Sequence, residues 1–177
     1  MKTKVAAALC GLTLIAGCAT QGIGPMPSIP ENLRPTAAET LSLETKATGV
    51  QIYECSATAK DPARFQWTFK APEADLFDVA GKRIGRHYAG PTWEANDGSK
   101  VVAGVAARND APDANAIPWL LLSAKSNAGA GVFSRTTSIQ RVRTAGGTTP
   151  TEACGTADAG KVARVAYKAT YYFYAPK

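Results

Sequence analysis

The chain has 177 residues, 45% of them hydrophobic and 19% charged, with 20 lysines and arginines against 14 acidic residues and a net charge of +6. That length and apolar content suffice for one buried core, while the bases are scattered without a dense run (Lys82, Arg83, Arg86, Arg135, Arg141, Arg143), which argues against a nucleic-acid partner. One histidine and no Cys-x-x-Cys spacing leave a zinc centre without its usual ligands, so neither a metal nor another cofactor is expected.

At the start, Lys2 and Lys4 precede an apolar run over 5–16 that is too short to span a bilayer as a permanent helix, the pattern of an export signal. Ile15-Ala16-Gly17-Cys18 resembles a lipobox. That resemblance implies a lipoprotein signal peptide over 1–17, cleavage before Cys18, and attachment of diacylglycerol and palmitate there. Multiple acyl chains make a stable membrane anchor. Ala19, where an aspartate would imply retention at the inner membrane, favours the outer membrane by the same resemblance. The alternative is an ordinary signal peptide with Cys18 incidental. Loss of Lys2 and Lys4 takes 20 basic residues to 18 and the net charge to near +4.

From Ala19 the chain is rich in Gly, Pro, Ser and Gln, with Pro25, Pro27, Pro30 and Pro35, and residues 18–37 read as a lipidated tether. Residues 38–177 are of single-domain size. Cys55 and Cys154 are the two thiols left in that domain, an even pair in an oxidising compartment, and a disulfide is the economical reading.

The hydrophobic period in this domain is two. Leu41 and Leu43 alternate with polar neighbours, Gln51, Tyr53 and Cys55 oppose Val50, Ile52 and Glu54, and Phe65, Trp67 and Phe69 share one face. Further strands are predicted at 75–79, 83–89, 92–95, 100–107, 119–125 and 137–144, separated by turn residues such as Asn96-Asp97-Gly98 and Gly146-Gly147. In the last strand, 162–174, Ala163, Val165, Tyr167, Ala169, Tyr171 and Phe173 line one face. Trp119-Leu120-Leu121-Leu122 is apolar on both faces and suits the middle of a sheet. Many short strands with no helix between them predict an all-β, antiparallel β-sandwich or barrel, stapled by Cys55 and Cys154.

Several stretches carry a family resemblance: Gly49-Val50-Gln51-Ile52-Tyr53-Glu54-Cys55, Gly85-Arg86-His87-Tyr88-Ala89-Gly90-Pro91-Thr92-Trp93-Glu94, Ile117-Pro118-Trp119, Gln140-Arg141-Val142-Arg143 and Tyr171-Tyr172-Phe173-Tyr174. In that order they resemble the domain-of-unknown-function 3455 family of secreted proteins. The resemblance implies no activity. No Gly-x-Gly-x-x-Gly sits between a strand and a helix, so a dinucleotide fold is not expected.

Polar, aromatic and backbone-shaping residues concentrate over 85–99, where the candidate ligand-binding residues His87, Tyr88, Trp93, Glu94 and Asp97 lie, joined by Trp119 and Arg141. Tyr88, Trp93 and Trp119 offer an aromatic platform for a saccharide or peptide, with Glu94 and Asp97 to bond its hydroxyls. Each has a structural reading too. His87 can bond a backbone carbonyl or Glu94 at the Gly90-Pro91 corner, the aromatics can be core, and Asp97 can brace an Asn-Asp-Gly hairpin. Arg141, in phase with Ile139, points inward and needs Glu54 or Glu94 as partner, or else binds an anion.

These readings favour an envelope-facing binding domain, lipid-anchored to the outer membrane through Cys18, with a cell-envelope saccharide or protein as partner. The alternatives are an envelope hydrolase using His87 and Glu94, and a protein-interaction module without a small-molecule site. No Gly-x-Ser-x-Gly elbow supports a serine nucleophile, and an enzyme is the less favoured class.

Overall fold

A computed structural model describes residues 26–177. The expected signal peptide, Cys10, Cys18 and the first part of the expected tether lie outside the described residues.

Eight strands form a closed antiparallel barrel in simple up-and-down order: β1 (Glu39–Ala57), β2 (Phe65–Phe77), β3 (Arg83–Tyr88), β4 (Thr92–Ala95), β5 (Lys100–Asn109), β6 (Trp119–Ala128), β7 (Ser138–Gly146) and β8 (Val162–Pro176). Of the two architectures the sequence left open, the barrel is the one formed. Closure comes from β1 pairing with β8 from Glu39↔Pro176 to Glu54↔Val162. Tight curvature has visible causes. Ladder irregularities at Ile52/Tyr53, Leu41/Leu43 and Val142/Ala145 bend the strands. Gly49 lets β2 approach so closely that a Cβ there would lie 2.1 Å from the Glu73 carbonyl oxygen.

Period two sorts the side chains as expected in β8: Tyr167, Ala169, Tyr171 and Phe173 join the inner core with Trp93, Leu120, Leu122, Phe133 and Ile139. An eight-stranded barrel has an interior that side chains nearly fill or that holds one small ligand. The stretches 65–69 and 75–79, predicted as two strands around Pro72, are one strand. Pro72 is tolerated because β2 pairs with β3 only from Ala74 onward, leaving Pro72 without a neighbour on that side.

The opposite face of β8 is buried as well. Tyr172 and Tyr174 form a second cluster with Leu33, Trp119 and Val142, against which Ile29 and Leu41 pack. Leu33 is fully buried, its carbonyl accepts from Gln140 Nε2 at 2.6 Å, and Asn32 donates to the Arg108 carbonyl. Residues 29–33, within the span expected to be tether, are therefore docked on the outer wall. Their burial follows from two apolar side chains, Ile29 and Leu33, that a composition dominated by Pro and Gly obscures.

Both ends of the barrel are covered. At one, the loop between β6 and β7 drives Phe133 into the core against Phe173, ring centroids 4.6 Å apart. At the other, the Cys55–Cys154 disulfide ties the loop between β7 and β8 to the end of β1, across 99 residues of sequence. Tyr53 donates to the Gly147 carbonyl and Trp67 to that of Glu152, fixing the same loop. Replacing both cysteines (Cys55→Ala with Cys154→Ala) is expected to lower stability by up to about 4.7 kcal/mol, the chain-entropy ceiling for a loop of this length. Urea unfolding checks it, and an unchanged midpoint would show that the loop is held by its hydrogen bonds alone.

Candidate ligand-binding site

The fold divides the candidate residues among four places. His87 and Trp93, opposite each other in the β3–β4 ladder, face inward, whereas Tyr88 and Glu94 face outward. Asp97 sits in the turn after β4, and Trp119 belongs to the outer-wall cluster. The structure thus brings His87, Trp93 and Arg141 together but does not assemble the aromatic platform expected from Tyr88, Trp93 and Trp119. Adjacency in sequence grouped residues that alternation along a strand sends to opposite faces.

Inside, the His87 and Trp93 rings stack with centroids 4.2 Å apart, and the Tyr171 ring meets both edge-on. His87 Nδ1 is 2.8 Å from the Thr92 carbonyl oxygen. Burial pushes the imidazole down to about 3, with the Thr92 carbonyl opposing the shift and the Arg141 charge adding to it. The ring is neutral at physiological pH, so Nδ1 carries the proton that it donates to Thr92.

Outside, the Glu94 carboxylate accepts from the Tyr88 hydroxyl at 2.5 Å and from Arg86 at 3.1 Å, and it pairs with Lys100 at 3.3 Å. The Tyr88 hydrogen bond, with those from Arg86 and Lys100, holds its carboxyl at about 2. A carboxylate so satisfied stays ionised and has no proton to give. The surface concavity around it, about 630 Å³, is flanked by Arg83–Asp75 and Arg164–Glu73 pairs, and Arg86 and Lys100 share Glu94, so each of its charges already has an ion-pair partner. Because the barrel wall separates their side chains, His87 and Glu94 do not form an acid–base pair.

Asp97 is a brace. Gly98 has φ +86°, and the Asp97 carboxylate accepts from the Ser99 amide and hydroxyl and from the Val132 amide. Ser99 Oγ in turn accepts from the Phe133 amide. These bonds hold the loop that inserts Phe133.

Arg141 does not pair with Glu54 or Glu94. Its Nε and Nη2 donate to the Pro118 carbonyl at 3.1 and 2.9 Å, while Glu54 pairs with Lys70. The Arg141 charge acts on Tyr53, His87, Tyr167 and Tyr171, which places the guanidinium among the lumen's polar side chains. It borders a cavity of about 190 Å³ together with Gln51, His87, Trp93, Leu120, Leu122 and Tyr171. Trp93 Nε1, Gln51 Nε2 and the Tyr171 hydroxyl are buried without a hydrogen-bond partner of normal geometry.

The cavity opens sideways. β2 pairs with β3 only over Ala74–Phe77, and β5 pairs with β4 only over Lys100–Val102, with Ala103 adding a bond to Pro91. Beyond those limits β2 and β5 continue past the short β3–β4 turn with no strand between them. Phe69, Lys70 and Pro72 border the cavity from β2, Val105 from β5, and Gly90 and Pro91 from the turn. Phe69 and Val105 are 49% and 59% exposed, unusual for apolar residues at such an opening. Gln51, Phe69, Val105, Leu120, Leu122 and Tyr171 were not among the candidate residues. Gln51 carried a faint signal, a polar residue in phase with Tyr53 and Cys55, but which face of β1 is inner depends on closure.

The chain matches, over residues 35–175, the family described as protein of unknown function (DUF3455). It belongs to that family. No curated protein and no solved structure matches the chain. In this DUF3455 domain the polar groups of the lumen, a cation, a neutral imidazole and unmatched N–H and O–H groups, are set by β1, β3, β4, β7 and β8.

His87 is the only histidine, which makes its titration readable. Its folded value lies below the ordinary 6.5, so as pH falls through 6.5 the unfolded chain takes up a proton that the folded chain refuses. Between pH 7 and 5 the protein is expected to lose about 2 kcal/mol of stability by this route. Glu94, lowered from 4.5 to about 2, titrates below that window. His87→Phe should flatten the pH dependence in that window. A wild-type stability that does not change between pH 7 and 5 in urea titrations would contradict a neutral, buried imidazole.

Proposed function

We propose that this protein is a binding protein whose barrel lumen takes one small ligand through the slot between β2 and β5. The carrying observation is a side-opening cavity bordered by Arg141, Trp93, Gln51 and Tyr171 beneath the exposed apolar rim of Phe69 and Val105, with Trp93 Nε1, Gln51 Nε2 and the Tyr171 hydroxyl buried in its wall without partners of normal geometry. Buried polar groups without partners carry a free-energy cost of about 1–3 kcal/mol each, which a ligand offering acceptors would relieve. Apolar walls with a few convergent polar groups are what a small-molecule site requires.

The geometry favours this reading over the alternatives. A hydrolase using His87 and Glu94 would need both on one side of the wall. A polymeric saccharide or a peptide would need a long exposed platform, and about 190 Å³ admits only a compact molecule or a terminal group. We further propose that the domain is exported and held at the outer membrane by acylated Cys18. With residues 29–33 fixed to the barrel, the ten residues from Ala19 to Ser28 would allow a stand-off of at most about 35 Å.

Two measurements test these proposals. In the full-length chain carrying Cys18→Ser, small acceptor-bearing compounds are expected to shift the indole N–H resonance of Trp93 and not that of Trp119. Val105→Trp, which fills the slot from an exposed position, should abolish the shift. A broad panel of compounds that leaves the Trp93 resonance in place would remove the proposal. For the anchor, metabolic labelling with palmitate should mark the wild type and not Cys18→Ser, and equal labelling of the two would dispose of lipidation at this cysteine.

A further inference from the structure

The lumen's own charge and donor inventory narrows the ligand's chemistry. Arg141 donates to a neutral carbonyl, that of Pro118, and lies within hydrogen-bonding reach of the neutral Tyr171 hydroxyl, and none of the ion pairs among the described residues includes it. No aspartate or glutamate borders the cavity. The other cation at its edge, Lys70, is matched by Glu54 at 3.5 Å. The opening therefore presents one unmatched positive charge, and a partly desolvated guanidinium is stabilised by an anion.

The other polar groups have the same preference. Trp93 Nε1 and Gln51 Nε2 only donate, and the Tyr171 hydroxyl, whose oxygen lies within reach of the Arg141 donors, keeps its own hydrogen to give. Four groups that offer hydrogens and none that carries negative charge make a site for an oxyanion rather than for an amine or a guanidine. The planar guanidinium suits the two oxygens of a carboxylate.

Volume and walls supply the rest. A cavity of about 190 Å³ is somewhat larger than the roughly 150 Å³ that accommodates a benzene ring and smaller than the ~300 Å³ at which drug-sized sites begin. Leu120, Leu122, Pro91, Phe69 and Val105 give the ligand body an apolar surround, which an inorganic phosphate would leave unused. Resting on the reading of the lumen as a ligand site, we propose that the ligand is a small monocarboxylate with a body of about one ring, its carboxylate on Arg141 and its ring against Leu120, Leu122 and the slot rim.

The experiment compares probes of one shape and different charge on the full-length chain carrying Cys18→Ser. Benzoate, its neutral isostere benzamide, and inorganic phosphate are titrated while the Trp93 indole resonance is followed. Benzoate is expected to bind at least tenfold more tightly than benzamide, phosphate not to shift the resonance, and added salt to weaken benzoate alone. Arg141→Met should reduce benzoate affinity tenfold or more and leave benzamide affinity within a factor of two. The wild-type comparison needs no variant, so it decides the matter even where Arg141→Met does not fold. Benzamide binding as tightly as benzoate overturns the carboxylate while the lumen stands as a site. Phosphate binding as tightly as benzoate overturns the ring-bearing ligand. If none of these three shifts Trp93 but another compound does, the ligand class is wrong; if no compound does, the ligand site fails and this inference with it.

Discussion

The pairing of β1 with β8 is the constraint on which the other features rest, because it joins the two ends of the domain and turns a meandering sheet into a barrel. Without it neither strand has a second neighbour, and β8's inward Tyr167, Tyr171 and Phe173 have no opposing wall. Contacts this far apart in sequence form late and at high entropic cost. The Cys55–Cys154 bridge anchors the loop before β8 to the end of β1, at the same seam. Leu33 packs outside the barrel with Tyr172 and Tyr174 of β8, its segment hydrogen-bonded to β5 and β7.

Closure also explains why the cavity opens where it does. A barrel removes the exposed edges of a sheet, but β3 and β4 are too short to reach as far as β2 and β5. The resulting gap carries Pro72, Lys70 and a ladder irregularity on its β2 side, features that discourage another strand from adding there. With Phe133 blocking one end and the disulfide loop the other, this lateral gap is the route between the cavity and solvent. Rigid walls around it favour a preformed site over one that assembles on binding.

His87 illustrates how position in the fold sets chemistry. A lone histidine near two carboxylates reads as a general base, yet stacking on Trp93 and full burial keep it neutral with its Nδ1 proton committed to Thr92. It shapes the cavity wall and leaves Arg141 as the one charge bordering the cavity without an ion-pair partner. Glu94, 3.1 Å from Arg86 on the other side of the wall, belongs to a surface ion cluster that contributes little to stability.

The sequence alone determined where the strands lie, though not that 65–69 and 75–79 run on as one, because alternation of apolar and polar residues is a local property and each strand's two side-chain sets follow from the pleat. It also determined the disulfide, the Asn-Asp-Gly brace at Asp97 and the family. It pointed to His87, Trp93 and Arg141. What it left open was which set faces inward where both faces are apolar or mixed, as in β1, in β6 and in the Tyr171 to Tyr174 run. Only the tertiary structure decided that. Barrel against sandwich turns on whether the first strand meets the last, and the grouping of Gln51, Val105 and Leu120 with Arg141 turns on the same closure. The docking of Ile29 and Leu33 depends on an outer wall that exists only once the barrel has formed. Each of these is a relation between residues far apart in the chain, and no local pattern encodes it.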